Sequence, residues 1–401
     1  MKIPSMSAWK LLWLFVPFAV LTASSDVGTE APTGFDTISN GFVDQATHDA
    51  DRSEFEAAET PASGLGPLYN ATSCVDCHQD PVTGGSSQVS EMRAGHMQHG
   101  VFTNPVGGSS LIHDRSTSRE IQQRIPATED VRTLRMSTSI LGLGYVEAVD
   151  DQTLQNLAQS EAAQTRGFVH GEAQMVPLLE APGVSRVGRF GWKDQHGSLL
   201  SFSADADLNE KGITSHFLPV EDYYFDQPVD AYNQDATEPN DTAGDVEKYA
   251  SYMRATKAPP RGVITSDVQA GEAIFHKLGC DLCHTATLQT VPAGTSLNGG
   301  TFVVPDALGG KTIHPYSDFL LHDVGTGDGI VQNGGPETRN KLRTTPLWGL
   351  RTRGRLLHDG SASDLTSAIR RHDNEARFAR DRFFFLSRGD FASLMAFLNS
   401  L

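Results

Sequence analysis

The sequence predicts a mainly α protein built as two units with long loops, and three observations carry that prediction. Apolar residues recur at helical spacing in separated stretches: Leu154, Leu157 and Ala158; then Leu365, Ala368 and Ile369; then Phe391, Leu394, Leu398 and Leu401. The string Ala258-Pro-Pro-Arg-Gly262 stops a helix and extends the chain, which suits a hinge. One short frame, two cysteines three positions apart followed by a histidine, stands on each side of that hinge. The 401 residues leave ample chain for a core and make two domains an ordinary expectation.

The two frames are Cys74-Val-Asp-Cys77-His78 and Cys280-Asp-Leu-Cys283-His284. Thiols at that spacing reach both vinyl groups of one porphyrin, and the next imidazole then lies under the iron as its proximal ligand. The competing readings are a zinc site, which wants four nitrogen or sulfur ligands, and a redox dithiol, which does not require the histidine. Two occurrences favour two covalently bound c-type haems, which account for all four cysteines of the chain.

Residues 1–25 read as a signal peptide: Lys2 and Lys10, an apolar run from Leu11 to Leu21, then Thr22-Ala-Ser-Ser25. The run is short for a membrane-spanning helix, with an uncleaved anchor as the alternative, and no stable span is expected in the mature protein. Export to the periplasm agrees with haem attachment outside the cytoplasm. Thirty-two basic against 49 acidic residues leave a net charge of −17. That balance argues against a phosphate-binding face, hence a nucleic-acid partner; it gives a weak hint of a small basic electron-donor protein, although surface charge usually serves solubility.

Residues 26–260 are expected to form an N-terminal haem domain and 261–401 a C-terminal cytochrome c-like haem domain. The stretch 26–62 reads as a polar arm or loop, and Asp205 to Asp245 as an acidic surface-loop insertion. A calcium ion is conceivable in that loop, although its spacing matches no calcium-binding loop and a solvated loop is the simpler reading. Ser266-Asp-Val-Gln269 reads as a capping box opening the helix into the second frame. A last helix from about Asp390 is expected to cross it and enclose the haem.

The sixth position of each iron separates electron transfer from catalysis. For the second haem the candidate is His372, placed with Leu365, Ala368 and Ile369 on one helical face with Ser363 as N-cap; Met395 is the runner-up. For the first haem the candidates are His96 and His99, with Met97 behind them, against the reading of surface-loop histidines. Cleaving a peroxide needs a base beside the iron and a nearby cation. Glu147, in an apolar stretch where its pKa is expected to rise, is the candidate base, and Arg135 or Arg132 the cation. Trp192, in Gly188-Arg-Phe-Gly-Trp-Lys193, is a candidate for a path between the haems, against a plain core aromatic.

From Gly64 to Leu401 the chain resembles the di-haem c-type oxidoreductases assigned as peroxidases and also called thiol oxidoreductases. The strings that carry the resemblance include Gly64-Leu-Gly-Pro-Leu-Tyr-Asn, Gly142-Leu-Gly-Tyr-Val-Glu-Ala, Gly188-Arg-Phe-Gly-Trp-Lys and Gly212-Ile-Thr-Ser. Further on stand Pro315-Tyr-Ser-Asp-Phe-Leu-Leu-His-Asp-Val-Gly, Arg343-Thr-Thr-Pro-Leu-Trp-Gly and Leu356-Leu-His-Asp-Gly. That family is similar to bacterial di-haem cytochrome c peroxidases, in which a His-Asp-Gly string precedes an axial ligand of the electron-transferring haem by about fourteen positions. Counted from His358, that resemblance implies His372, where those peroxidases usually carry methionine. It also implies a displaceable histidine near the place of His96, although the surrounding motif does not match. Leu342 and Ser361 stand where the resemblance leads one to expect tryptophan and arginine. His322 and His358, in the strongest strings, read as groups supporting ligands rather than ligands.

The expectation is therefore mainly α, with two cytochrome c-like haem domains and long loops, reducing hydrogen peroxide or another small oxidant at the first haem. His284 and His372 hold the second haem, which stores and passes electrons. A non-enzymatic electron carrier for metal reduction or iron uptake, and an oxygenase acting on an organic substrate, are the competing functions.

Overall fold

The computed structural model describes residues 28–106, 108–234 and 239–401, so the signal peptide predicted at 1–25 lies outside the described residues. Among the described residues the α-helices are, in chain order, α1 (Gln45–Glu56), α2 (Leu143–Glu147), α3 (Asp151–Thr165), α4 (Leu199–Ala206) and α5 (Asp245–Ala255). They continue with α6 (Ser266–Leu278), α7 (Leu365–Arg371), α8 (Arg377–Phe383) and α9 (Arg388–Leu398). Local chemistry sets most starts. Asp150, Thr265, Asp364 and Ser387 each accept an amide of the first turn of α3, α6, α7 and α9. The caps of α6 and α7 thus sit one residue away from the expected Ser266 and Ser363.

The mainly α expectation is overturned. Helix accounts for only 33% of the chain and strand for 16%. The first strands are β1 (Thr29–Glu30), β2 (Leu68–Tyr69), β3 (Ser90–Gln98), β4 (Val101–Thr103), β5 (Leu111–Ile112), β6 (Arg115–Ser116) and β7 (Val131–Met136). Strand β3 pairs antiparallel with β4, β5 and β7, with Glu91 opposite Arg135 and Arg93 opposite Thr133. Further pairs, such as Leu321–His322 with Leu342–Arg343, are only two residues long. The 38 glycines and 20 prolines break the chain too often for long helices, and the freed backbone groups pair as short ladders.

Two further expectations change. The presumed polar arm contains α1, which buries Phe55 against Tyr249 and Tyr252 of α5, at ring-centroid distances of 6.2 and 5.0 Å. The supposed surface loop begins as buried structure: α4 runs on into a wider turn over Asp207–Lys211, in which Asp207 and Lys211 are buried and ion-paired at 2.8 Å. Core packing also crosses the Ala258–Gly262 segment, because Leu288, Phe302 and Leu308 share one apolar cluster with Tyr145, Leu199 and Met253. No helix among the described residues is long and apolar enough to cross a membrane.

A second apolar cluster joins Val268, Phe275 and Leu278 of α6 to Leu394, Phe397 and Leu398 of α9. The crossing is close at Gly271, where an added Cβ would stand 2.0 Å from the Ser393 carbonyl oxygen. Gly271→Ala is therefore expected to lower the unfolding free energy by about 1–3 kcal/mol, the usual cost of overpacking. Urea denaturation of the haem-loaded protein measures it, and an unchanged midpoint would show that the helices part freely.

Candidate functional site

Helix α6 ends at Gly279, whose φ of 87° no other residue type adopts as cheaply, and whose amide donates to the carbonyls of Phe275 and His276. The reversal leads directly into a tight turn at Cys280–Leu282, closed by the His284 amide on the Cys280 carbonyl at 3.0 Å. Cys280, Cys283 and His284 thereby face one cavity of about 560 Å³. The first frame folds the same way: Cys74–Asp76 turn, and the His78 amide reaches the Cys74 carbonyl at 3.1 Å. Cys74, Cys77 and His78 face a second cavity of about 610 Å³. Both volumes fall in the ~300–1,000 Å³ range of cofactor sites.

Hydrogen bonding selects the free nitrogen of each imidazole. His284 Nδ1 lies 2.9 Å from the Tyr316 carbonyl oxygen and His78 Nδ1 3.3 Å from that of Gly85. A carbonyl only accepts, so Nδ1 carries the proton and Nε2 keeps its lone pair, as second-sphere contacts of ligating histidines do. Burial drives the His284 pKa down to about 4 and lowers that of His78, which keeps both rings neutral.

His372 lines the same cavity as His284, as C-cap of α7. Its Nδ1 donates to the Ala368 carbonyl at 2.9 Å, again leaving Nε2 free, and burial lowers its pKa. Met395 packs at the edge of the α6–α9 cluster and is not part of the cavity wall.

The residues present fit two haems. Burial pushes Cys74, Cys77 and Cys280 up to about 12 and Cys283 to about 11, so these are neutral thiols. A redox dithiol needs the opposite shift. Arg353 lines the cavity of the second frame and, among the described residues, donates to the carbonyls of Pro346 and Trp348 and forms no ion pair, so its remaining donors suit a propionate.

The first cavity differs in its polar wall. Arg93 donates to Glu91 through Nε at 2.7 Å and Nη2 at 2.8 Å, a bidentate pair inside the cavity. Burial disfavours the charge on Glu91, but Arg93 and Arg135 outweigh it and hold the carboxyl below the usual range. Glu210, on the same wall and hydrogen-bonded to Glu91, is raised to about 7 by burial and by the Glu91 charge. These two acids have pKa values pushed apart, the pattern of an acid–base site. The one histidine among the lining residues besides His78 is His113, and both its nitrogens are engaged, with Gln123 Oε1 at 3.0 Å and the Asn209 carbonyl at 3.0 Å.

The other residues singled out in the sequence fall elsewhere. His96 is not on the cavity wall; its Nδ1 meets Glu129 at 2.9 Å. It lies three residues beyond Arg93 on β3, roughly 10 Å further along an extended strand. His99 is the turn residue after that strand, and the Met97 sulfur meets Arg339 at 3.2 Å. Glu147 is fully buried away from either cavity, bound to Arg254 at 2.7 and 2.9 Å, to Asn298, and to the Leu199 amide. Burial opposes its charge but Arg254 outweighs it, so its pKa goes down where the sequence led us to expect a rise. Arg135 does line the first cavity, with its guanidinium held by buried Asp328 at 2.7 Å. Arg132 is exposed.

His322 is clamped between Glu375 at 2.9 Å and Asp318 at 3.0 Å, and His358 stands edge-on to Trp192 at 6.1 Å. Trp192 lines both cavities, with Met136, Ser137 and Thr138, and its indole N–H donates to the Met136 carbonyl at 2.8 Å. Beside it Lys193 is buried and caged by the carbonyls of Thr338, Arg339 and Lys341 at 2.7–3.0 Å. Met136, Ser137, Thr138 and Trp192 are thus the wall that the two cavities share.

Sequence reasoning missed Glu91, Arg93 and Glu210. The signal nearest to Glu210 was Gly212-Ile-Thr-Ser, which begins two residues after it. Glu147→Ala is expected to destabilise the fold by about 3–5 kcal/mol, because it strands a buried guanidinium. Guanidinium-chloride unfolding measures this, and full stability with selective loss of turnover would return Glu147 to a chemical role.

A family model described as "Di-haem oxidoreductase, putative peroxidase" matches residues 96–401. No curated protein matches. Solved structures give weak likenesses. Hydrazine synthase of Kuenenia stuttgartiensis shares 14% identity at a TM-score of 0.41, covering 100% of this chain and 98% of that one. A MauG-like protein associated with microbial copper homeostasis shares 15% at 0.40, covering 98% and 95%. The diheme peroxidase BthA of Burkholderia thailandensis shares 14% at 0.33, covering 94% and 91%. With more than half its length matched by that family model, the chain is an oxidoreductase belonging to the di-haem oxidoreductase family.

Proposed function

We propose that this oxidoreductase is exported to the periplasm, carries two covalently attached c-type haems, and reduces peroxide at the first with electrons relayed by the second. Residues 1–25 are the leader in this reading, and 26–260 and 261–401 the two haem-bearing units. Cys74 and Cys77 would hold one haem and Cys280 and Cys283 the other, with His78 and His284 as the imidazoles that would bind their irons and His372 as the further imidazole at the second. The observation that carries the proposal is the asymmetry of the two cavities. One offers two neutral imidazoles with free Nε2 atoms, whereas the other sets a single such imidazole beside a carboxyl pair and two arginines.

When bound, the haems supply redox-active iron, with an exchangeable position at the first site. The protein supplies proton handling and charge. Reduction of hydrogen peroxide to two waters consumes two electrons and two protons. Glu210, with its pKa of about 7, takes the proton from the incoming peroxide and returns it to the departing oxygen. Arg93 holds Glu91 ionised, and that charge keeps Glu210 basic enough to serve. Arg93 and Arg135 together face the negative charge that develops on the departing oxygen. Trp192, among the described residues the one aromatic ring shared by both walls, is the proposed electron path. With both His284 and His372 on its iron, the second haem would have a low potential, which would favour donation.

Glu210 acts in its ionised form, so kcat/KM for hydrogen peroxide is expected to rise with pH through about 7 and then level off. Glu210→Gln should abolish that limb and lower kcat/KM by about 10²–10⁴, the usual share of general acid–base catalysis; steady-state assays with a reduced dye decide it. A limb that survives in Glu210→Gln would remove the base from its role. His372→Met is expected to raise the midpoint potential of the second haem alone, since methionine stabilises ferrous iron relative to histidine. Redox titration, with low-temperature electron paramagnetic resonance to count low-spin centres, measures the shift, and an unmoved potential would exclude His372 as a ligand.

A further inference from the structure

The segment from α7 to the start of α9 has a surface unlike the rest of the chain. Between Leu365 and Phe391 it carries six arginines against Asp373, Glu375, Asp381 and Asp390, within a protein of net charge −17. Of the four acids, Glu375 is buried on His322, and Asp373 and Asp381 pair with Arg380. Among the described residues no ion pair engages Arg370, Arg371, Arg377 or Arg388, and all four are exposed.

Interleaved with them are exposed rings. Phe385 is 89% exposed, Phe378 56% and Phe384 51%, with Phe391 beside them at 37%. Arg370 lies 6.0 Å over the ring of Phe384, and Phe378 meets exposed Phe168 at a tilt, with ring centroids 4.4 Å apart. A buried phenylalanine side chain is worth about 1.5–3 kcal/mol relative to an exposed one, so this chain forgoes that several times over on one face. Arginine and aromatic residues without lysine are the composition of protein interfaces.

The patch is also placed over the second site. Phe378, Ala379, Arg382 and Phe383 are wall residues of its cavity, and Arg382 reaches the Leu278 carbonyl at 3.0 Å, one turn before the attachment cysteines. A partner seated here would sit at the edge of the second haem.

We propose that the arginine- and phenylalanine-bearing face of α7, α8 and the start of α9 is the docking site of a small acidic electron-transfer protein. That partner is oxidised by one electron per encounter, and the second site is reduced by the same electron. The proposal rests on the second site being the point of electron entry. It reverses the expectation of a basic donor drawn from net charge, because association is steered by the local field over the site rather than by the sum over the chain. An anionic lipid surface would also attract this face. Arginines and rings alternate along α8 instead of segregating to opposite sides, which fits a protein surface better than an interfacial helix.

The test uses the full-length, haem-loaded protein and two reductants in stopped flow: reduced plant-type ferredoxin, which is acidic, and a reduced zwitterionic viologen without net charge. For the wild type the ferredoxin rate should fall steeply with ionic strength. The R370E/R377E/R388E variant should lose about tenfold or more of that rate, within the ~10–10³ span of electrostatic steering, with the viologen rate unchanged. Phe385→Ala should slow ferredoxin while keeping its salt dependence. A ferredoxin rate unaltered in the triple variant overturns the proposal. So does binding of phosphatidylglycerol vesicles that the triple variant loses while ferredoxin reacts as before, because the face then meets a membrane. Entry of viologen electrons at the first site only would refute the relay, whereas the ferredoxin comparison judges the docking face separately.

Discussion

The structure depends most on where three imidazoles place their Nδ1 protons. His78, His284 and His372 each give that proton to a main-chain carbonyl, of Gly85, Tyr316 and Ala368. The bond orients the ring, and burial keeps it uncharged. The turns that present His78 and His284 are held by the same kind of local bond, from a histidine amide back to the first cysteine of its frame. Two nearly identical local structures thus stand in two different surroundings.

The surroundings make the difference between the sites. Around His284, α7 brings His372, and α9 closes the wall with Leu394 and Leu398. Around His78, β3 and the turn after α4 bring Glu91, Arg93 and Glu210. An interior holding this many charges is tolerable only because they are matched. Arg93 neutralises Glu91, Asp328 holds Arg135 and Lys193, and Lys211 pairs with Asp207. Among the described residues Glu210 forms no ion pair, and burial together with the Glu91 charge raises its pKa to about 7. Strain of this kind, concentrated in one cavity, is what a group suited to proton transfer requires.

Much of the site was legible because it is local. The two Cys-x-x-Cys-His frames need only consecutive residues, and the His358 to His372 spacing spans one capped helix. The remainder was not, because it depends on meetings between distant segments. Glu147 looked like an acid in an apolar stretch, yet Arg254, 107 positions on, claims it. His96 looked close to the first frame in sequence, but an extended strand carries it away from the cavity. Asp205 to Glu210 looked like solvated charge, since acidity alone does not reveal a buried arginine across the wall. The mainly α reading failed for a related reason: the periodic segments are real helices, but short ladders formed by long-range pairing fill the stretches between them.

The sequence by itself determined the two thiol–imidazole frames, the candidate histidine on α7 and the family to which the chain belongs, since each rests on order and spacing along the backbone. Only the tertiary structure decided that a carboxyl pair and two arginines meet on the wall of the first cavity, and that the arginines and phenylalanines of the last helices share one open face. Those outcomes depend on which remote side chains come within a few ångströms. In a low-dielectric interior that proximity sets both charge and reactivity.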